Sequence, residues 1–259
     1  MKEYELSFQK NIRDIGGLST KDGRHIKYGK LFRGGALYKV NEDDKKIIKD
    51  FNLTDIIDFR DPEEFEGIPD YHPENVTMHN VPVLKKETRD EVRTRIKSAD
   101  GNLLWFLGDH TSGFEHLVKV YREFVETKEG VHAFKTFFEI IMQDNAVTYF
   151  HCSQGKDRTG FAAYLFEIAL GVSEEDAMED YLLSNKAMAI RAEKLLQQVE
   201  YRPFYNEDYK KDLLDVFSTK VEYMESAVNA MNELYGGTLN FIEKALCVDI
   251  EKLKSIFLI

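Results

Sequence analysis

The chain has 259 residues, a net charge of −11 at pH 7, and 43% hydrophobic and 31% charged residues. This composition is typical of a globular protein, and the acidic balance argues against binding of nucleic acid or anionic lipid through the whole surface. Any site for an anion should therefore be a local cationic pocket. Since no internal repeat and no Gly/Ser- or Pro-rich linker divides the chain, we expect a single domain, residues 1–259.

Cysteine content and the N-terminus bear on the cellular compartment. The two cysteines, Cys152 and Cys247, are too few for the disulfide framework of a small secreted domain and wrongly spaced for structural zinc. The N-terminus has no apolar signal core, and no stretch approaches transmembrane length. We expect a cytoplasmic protein without stable membrane insertion, while leaderless secretion would leave no mark in the sequence.

The first part of the chain contains short strand candidates. Turn signals fill the first sixty residues, and segments such as residues 31–33 lie between them and fit strands. Residues 53–60 form an Ile-rich apolar run that stops at Asp61-Pro62, which predicts a buried strand. From residue 103 to residue 142, apolar side chains recur at three- and four-residue spacing, which predicts helices.

A further strand and a series of helices follow. Residues 146–150 are a short apolar run typical of a strand, and residues 159–170 are apolar and compatible with a helix. The chain after Ser173 has helical character throughout. Early strands, late helices and one strand that leads into a helix predict an α/β domain with a helix-rich second half.

The segment between that strand and helix, His151 to Gly160, has the sequence HCSQGKDRTG. A cysteine and an arginine separated by five residues fit a phosphate cradle, because the loop's N–H groups form an anion nest and the helix adds its positive end. Gly155 permits the tight backbone, and Arg158 can bind two phosphate oxygens. We expect the following residues to bind phosphate: Ser153, Gln154, Gly155, Lys156, Asp157, Arg158 and Thr159.

The same loop predicts a nucleophile, Cys152. A free thiol is only a few per cent thiolate at neutral pH, and a helix N-terminus, an arginine and a lysine each favour the anion. The thiolate would attack phosphorus in line to give a cysteinyl-phosphate, and water would then release inorganic phosphate. Thr159 would donate a hydrogen bond to the departing sulfur. Since positioning and charge suffice for this chemistry, no metal or other cofactor is expected.

Two other protein classes use related loops. A binding module recognises phosphotyrosine without cleaving it, but such proteins usually lack the cysteine or the arginine. A sulfur-transfer enzyme also has a cysteine in an anion-binding loop, but it does not need Arg158-Thr159-Gly160 at the start of a helix. A simple buried cysteine is a third interpretation. Six specified residues between a strand and a helix favour the phosphatase hypothesis over all three.

The loop resembles the signature of protein tyrosine phosphatases, and the longer string HCxxGKDRTG is similar to that of the atypical bacterial tyrosine/serine phosphatases. Residues 11–17 (NIRDIGG) match that family's NxRDxGG motif. Residues 31–37 (LFRGGAL) resemble its next motif, in which Gly34 replaces a serine. Further motifs match at residues 57–60 (IDFR), 180–185 (DYLLSN) and 235–237 (YGG). The likeness spans nearly the whole chain, although residues 85–144 match only in helical character.

The resemblance implies a tyrosine phosphatase-like fold, with a central, mostly parallel sheet flanked by helices and a helical lid, for which residues 103–145 are the candidate. It implies a phosphorylated protein as substrate, through phosphotyrosine and in some members phosphoserine or phosphothreonine. A phosphoinositide or inositol-phosphate phosphatase that uses the same loop is the alternative. Lys156, an extra cation beside the arginine, suits such highly charged substrates.

The leaving group needs a proton, so a carboxylic acid should face Cys152. The Trp-Pro-Asp segment of ordinary tyrosine phosphatases is absent from the sequence, and the single tryptophan is Trp105. By resemblance, Asp58 is the first candidate for the acid. Asp157 is the second, and it alternatively orients the hydrolytic water. A purely structural ion pair between Asp58 and Arg60 is the competing interpretation.

Overall fold

A mixed sheet forms the centre of the chain, whose computed structural model describes residues 1–66, 69–85, 88, 112–201 and 206–259. Within these residues the strands are β1 (Lys2–Tyr4), β2 (Ile12–Asp14), β3 (Leu31–Gly35), β4 (Asp55–Asp58), β5 (Thr77–Asn80) and β6 (Thr148–Cys152). Their order is β1-β2-β3-β6-β4-β5. The four strands β3, β6, β4 and β5 are parallel, and β1 and β2 extend the sheet in antiparallel fashion. The predicted α/β class with a mostly parallel sheet is confirmed.

Helices cover both faces of this sheet. They are α1 (Glu42–Asp50), α2 (Gly113–Glu126), α3 (Lys128–Ile141), α4 (Arg158–Leu170), α5 (Glu174–Val199), α6 (Glu207–Phe217), α7 (Val221–Tyr235) and α8 (Ile250–Phe257). A 3₁₀ turn, Pro62–Glu64, follows β4, and a helical turn at Thr238–Asn240 continues as a π-helix at Phe241–Ala245. Among the described residues, no helix combines the length and apolar character needed to cross a bilayer.

Local sequence signals set the helix ends. The side chains of Asn41, Ser112, Thr127 and Ser173 each accept a hydrogen bond from the first turn of α1, α2, α3 and α5, respectively. Gly171 ends α4 in the left-handed conformation, with φ of +91°. The break between α4 and α5 thus follows from a glycine and a serine cap two residues apart.

The core lies on both sides of β4 and β6. Ile56 and Tyr149 belong to a smaller apolar cluster beneath α1, whereas the next residues along each strand, Ile57 and Phe150, belong to a larger cluster formed with α2, α3, α4, α5, α7 and α8. Successive strand residues point to opposite faces. Strands that are buried on both faces therefore have continuous apolar runs, such as the one from which β4 was predicted.

The predicted helices between residues 103 and 142 are confirmed for their described part, α2 and α3. Both helices belong to the larger cluster, where Tyr121 and Phe137 are completely buried. Residues 103–111, which include Trp105, lie outside the described residues. A lid formed by residues 103–145 stays a prediction, as does the extent of the single domain.

Candidate active site

Cys152 and Arg158 lie at the two ends of one loop, residues 152–158, which we call the Cys152 loop. Cys152 is the last residue of β6, which lies between β3 and β4, and Arg158 is the first residue of α4. Only 2% of the Cys152 surface is exposed. In open α/β sheets, ligands bind at the carboxyl ends of the parallel strands. The loop occupies that position.

The carbonyl groups of the loop are bound from outside. The amide nitrogen of Asn11 donates hydrogen bonds of 3.1 Å to the carbonyls of both Gln154 and Gly155. Arg33 donates a second bond to the Gly155 carbonyl, at 3.2 Å. The Ser153 carbonyl accepts from the backbone of the β3–α1 connection, at 3.3 Å. Three consecutive carbonyls therefore point away from the centre of the loop.

The N–H groups of the loop have the opposite orientation. In a trans peptide the N–H points away from the preceding carbonyl, so outward carbonyls at residues 153–155 direct the N–H groups of residues 154–156 inward. Within the described part of the chain, no group accepts a hydrogen bond from the backbone N–H of residues 153–157. Converging, unpaired N–H groups at the start of a helix are an anion-binding arrangement.

Two glycines allow the loop to pack this closely. Gly155 has φ of +72°, and a Cβ there would lie 2.3 Å from the backbone of Gly34. At Gly34, a Cβ would lie 2.2 Å from the hydroxyl oxygen of Tyr149, which donates a 2.6 Å hydrogen bond to the Gly35 carbonyl. The Tyr149 hydroxyl thus fills the space that the serine of the related motif would need, which accounts for Gly34.

Buried charges support the outer side of the loop. Asp180 of α5 forms ion pairs with Arg13, at 2.7 Å, and with Arg33. Arg13 also donates to the side-chain oxygen of Asn11, at 2.8 Å. Burial opposes the charge of Asp180, but the two arginines outweigh it and lower its pKa to about 2. Asp180 therefore positions both groups that bind the Gly155 carbonyl. It holds Arg33 directly, and it holds Asn11 indirectly, through Arg13.

Glu167 of α4 is a further acidic group beside this cluster. Its side chain is fully buried, and burial together with the Asp180 carboxylate raises its pKa well above the ordinary value. The neutral form of Glu167 is therefore favoured more than that of an ordinary glutamate.

Glu64 binds one edge of the Arg158 guanidinium. Its two carboxylate oxygens accept from Nη1 and Nη2 at 2.5 and 2.9 Å, and Nη1 also donates to the Phe59 carbonyl at 3.4 Å. Arginine has five N–H groups. The two that remain, on Nε and Nη2, share the other edge of the plane. That edge matches two oxygens of a tetrahedral anion.

Comparisons with known proteins agree with this geometry. Residues 4–258 match the profile of the tyrosine phosphatase family. The chain belongs to the tyrosine phosphatase family. Its enzyme class is accordingly that of protein-tyrosine phosphatases, and the resemblance of the sequence to this family is confirmed.

Two curated relatives align over most of their length. A provisionally named tyrosine-protein phosphatase of Cupriavidus necator is 28% identical over 98% of this chain and 89% of its own. The triple specificity protein phosphatase PtpB of Mycobacterium tuberculosis is 25% identical over 95% of this chain and 94% of its own. The solved structure of P. aeruginosa TpbA with pTyr covers 80% of this chain and 90% of its own, at 11% identity and a TM-score of 0.31.

Lys156 and Asp157, two predicted substrate-binding residues, contact each other. The Lys156 ammonium donates to Oδ1 of Asp157, at 2.8 Å, and to the Ser218 carbonyl, at 3.2 Å. The Tyr121 hydroxyl donates to the same Oδ1, at 3.0 Å, and lies 2.8 Å from the hydroxyl of Tyr181. Two donors therefore hold one oxygen of Asp157, and the charge of Lys156 is balanced within the protein.

The other loop residues named from the sequence have varied surroundings. The Ser153 hydroxyl donates to Glu64 at 3.0 Å. The Thr159 hydroxyl is buried and has no hydrogen-bond partner in the described part of the chain, and the same holds for the side-chain oxygen of Gln154. A hydrogen bond from Thr159 to sulfur stays a prediction.

Asp58 is part of an ion-pair cluster on the side of the smaller apolar cluster. Both of its oxygens accept from Arg60, whose Nη2 also binds Asp70 at 2.6 Å. Burial opposes the charge of Asp58, but His151 and Arg60 outweigh it and lower its pKa. This environment favours the ion-pair interpretation of Asp58, and its role as the acid stays a prediction.

The same cluster is the one place among the described residues where ligand-type side chains converge. Atoms of Asp58, Asp70 and His151 lie within 4.8 Å of one another. Arg60 binds both carboxylates and supplies the positive charge that a metal ion would provide there. The residues therefore fit an ion-pair network better than a metal site.

Sequence reasoning missed Glu64 and Tyr121. Glu64 could have been found from the short capping pattern after β4, in which Asp61 begins a 3₁₀ turn and Glu64 accepts from its backbone at 2.9 Å. Tyr121 is one aromatic residue among many on α2, and no local pattern distinguishes it from a core residue.

We expect Asp180→Asn to destabilise the fold by roughly 3–5 kcal/mol, because it leaves two buried arginines without their carboxylate. Urea unfolding would measure the change, with Glu179→Gln as the control, since Glu179 is an exposed neighbour on the same helix. A loss no larger than that of the control would contradict the supporting role of Asp180.

We expect Glu64→Gln to lower kcat/KM by roughly 10- to 100-fold, because one edge of Arg158 loses its charge-assisted bonds.

Burial opposes the charge of Glu64, but Arg158 outweighs it and lowers the pKa of Glu64 below 4.5. The ion pair should therefore stabilise the wild type fully above about pH 4.5 and lose this effect as pH falls further.

Urea unfolding of wild type and Glu64→Gln between pH 3 and pH 7 would measure that dependence. Glu74→Gln is the control, because Glu74 is exposed. A stability difference that grows as the pH falls would contradict the assignment.

Proposed function

We propose that this chain hydrolyses phosphotyrosine through a cysteinyl-phosphate intermediate, without a metal ion. Cys152 is the nucleophile, and Arg158 and the N–H groups of residues 153–157 bind the phosphate. The observation that carries the proposal is the orientation of the Cys152 loop, whose carbonyls are bound from outside while its N–H groups converge unpaired. Such a loop binds a dianion and stabilises it as charge moves during phosphoryl transfer.

In the first step, the Cys152 thiolate attacks phosphorus opposite the tyrosyl oxygen. A sulfur–phosphorus bond forms, the phosphorus–oxygen bond breaks, and the tyrosyl oxygen takes a proton from a carboxylic acid of the site. In the second step, water attacks phosphorus, a new phosphorus–oxygen bond forms, the sulfur–phosphorus bond breaks, and the water gives a proton to the same group, now a carboxylate. The products are inorganic phosphate and the regenerated thiolate.

Arg158 remains with the phosphoryl group through both steps. Glu64 binds the edge formed by Nη1 and Nη2, so the edge formed by Nε and Nη2 is presented to two phosphate oxygens. A guanidinium fixed in advance loses little freedom when the substrate binds. A lysine at this position would lack the second edge.

Asp157 is our candidate for proton transfer in preference to Asp58. Its Oδ1 accepts from Tyr121 and Lys156, while Oδ2 accepts no hydrogen bond from the described residues. A carboxylate held in this way is suited to orient the attacking water in the second step and, by reversibility, to protonate the leaving oxygen in the first. Both oxygens of Asp58, by contrast, accept from Arg60, so neither is free to carry the transferred proton.

The breadth of substrates is a second part of the proposal. PtpB, which is similar to this chain over most of its length, is named a triple specificity protein phosphatase. Phosphoserine and phosphothreonine are therefore additional candidate substrates. Phosphoinositide hydrolysis is the alternative activity. Lys156 was the argument for this alternative, as an extra cation for a highly charged substrate. The argument is weak because Asp157 and the Ser218 carbonyl bind the Lys156 ammonium group.

We expect wild-type protein in EDTA to release phosphate from a phosphotyrosine peptide and Cys152→Ser to release none, because serine at this position is a poor nucleophile. Cys247→Ser is the matched control and should retain activity, since Cys247 is an exposed cysteine outside the loop. The panel includes a phosphoserine peptide and short-chain phosphoinositides. Activity in Cys152→Ser would refute the mechanism, and preferential release from phosphoinositides would favour the alternative.

We expect Asp157→Asn to lower kcat by about 100-fold or more, as loss of a general acid–base group typically does. The fall should be larger for phosphotyrosine than for p-nitrophenyl phosphate, whose leaving group needs a proton less. Asp58→Asn should reduce stability, because Arg60 loses one of its two carboxylate partners, and it should lower kcat much less. If Asp58→Asn instead produces the larger, leaving-group-dependent loss, the two roles are reversed.

A further inference from the structure

A groove of about 570 Å³ lies between α5 and the segment that leads into β2. One wall of the groove is a single face of α5, which carries Leu183, Ile190, Arg191 and Lys194. Phe8 lines the opposite wall. Three of these side chains are apolar and well exposed, namely Phe8 at 41%, Leu183 at 39% and Ile190 at 52%.

The groove adjoins the Cys152 loop. Asn11 lines the groove and donates to the carbonyls of Gln154 and Gly155. Phe217 also lines the groove, and the next residue, Ser218, accepts a hydrogen bond from Lys156. The groove therefore borders the outer side of residues 154–156, where Asn11 and the Ser218 carbonyl make their contacts with the Cys152 loop.

Unbalanced positive charge distinguishes this groove. The two lining glutamates each have a lysine partner at 3.0 Å, Glu3 with Lys186 and Glu5 with Lys10. Among the described residues, Arg191 and Lys194 form no ion pair or hydrogen bond through their side chains. In a chain with a net charge of −11, two unpaired cations side by side on a groove wall favour an acidic occupant.

We propose that this groove binds the acidic peptide segment next to the phosphorylated residue of a protein substrate. The proposal rests on the proposed function, because it uses the same phosphate position. Arg191 and Lys194 would contact acidic side chains of the segment, while Phe8, Leu183 and Ile190 would contact its apolar parts.

A peptide fits these features better than a membrane surface does. The apolar side chains line the walls of a concave groove, which suits a narrow extended chain. An anionic bilayer, by contrast, is a broad surface, and the net charge of −11 opposes its approach. Both curated relatives are also named as protein phosphatases.

The test compares free phosphotyrosine with four phosphotyrosine peptides, which have acidic residues before the phosphotyrosine, acidic residues after it, neutral residues, or lysines. We expect wild type to prefer one acidic peptide over the neutral one by roughly tenfold in kcat/KM, the scale of two surface ion pairs. Arg191→Glu/Lys194→Glu should remove this preference and leave turnover of free phosphotyrosine unchanged.

A matched control separates the groove from overall charge. Lys21→Glu/Lys49→Glu makes the same change of charge at two exposed lysines outside the groove. The control should keep the preference for the acidic peptide. Equal loss in both double variants, or no preference in the wild type, would overturn the proposal.

Two further readouts keep the proposed function and this inference separate. If neither the wild type nor any variant cleaves free phosphotyrosine, the proposed function fails. The groove can then still be tested by fluorescence anisotropy, which would measure peptide binding to Cys152→Ser with and without the Arg191→Glu/Lys194→Glu change. The protein would instead bind a membrane if it binds phosphatidylserine vesicles through Arg191 and Lys194 and shows no peptide preference. That result would overturn the proposal that the groove binds a peptide.

Discussion

The hydrogen bonds that bind the loop carbonyls from outside are the interaction on which the active site depends. Asn11 and Arg33 bind the carbonyls at Gln154 and Gly155, and Asp180 holds both donors. Without these bonds the peptide planes of the loop could rotate, and the N–H groups would no longer converge. Buried charges on the outer side of the loop thus create the converging N–H groups. Burial of these charges costs desolvation free energy, which is offset only if each charge is paired.

This dependence explains why motifs that lie far apart in the sequence occur together. Residues 11–17 and 31–37 supply the donors, and residues 180–185 supply their carboxylate. Asn185 has a related role, because its side chain exchanges two hydrogen bonds with the backbone of Thr219, at 2.7 and 2.9 Å. The preceding carbonyl, that of Ser218, accepts from Lys156. The motifs therefore converge on the same loop, two of them at the Gly155 carbonyl and the third also at Lys156 through the backbone beside Thr219.

Much of this arrangement could be predicted from the sequence, and the reason is local. The α/β class, β4, β6, α4 and the loop between them follow from short patterns of apolar residues, glycine and charge. The pairing of side chains could not be predicted, because it depends on distant segments: Glu64 meets Arg158 across 94 positions and Tyr121 meets Asp157 across 36. The contacts of Lys156 with Asp157 and with the Ser218 carbonyl belong to this second group, and phosphate binding by Lys156 stays a prediction.

The same pairings explain how an acidic chain can bind a dianion. Asp180 balances one of the two buried arginines, Asp157 balances Lys156, and Glu64 balances Arg158. Little free positive charge remains at the loop itself, so attraction must come chiefly from oriented N–H groups and the start of α4, whose effect is short-ranged. Such a site would not attract anions from a distance. Under the proposed function it would select a phosphate that has already been brought into contact, so the neighbouring protein surface would matter for the choice of substrate.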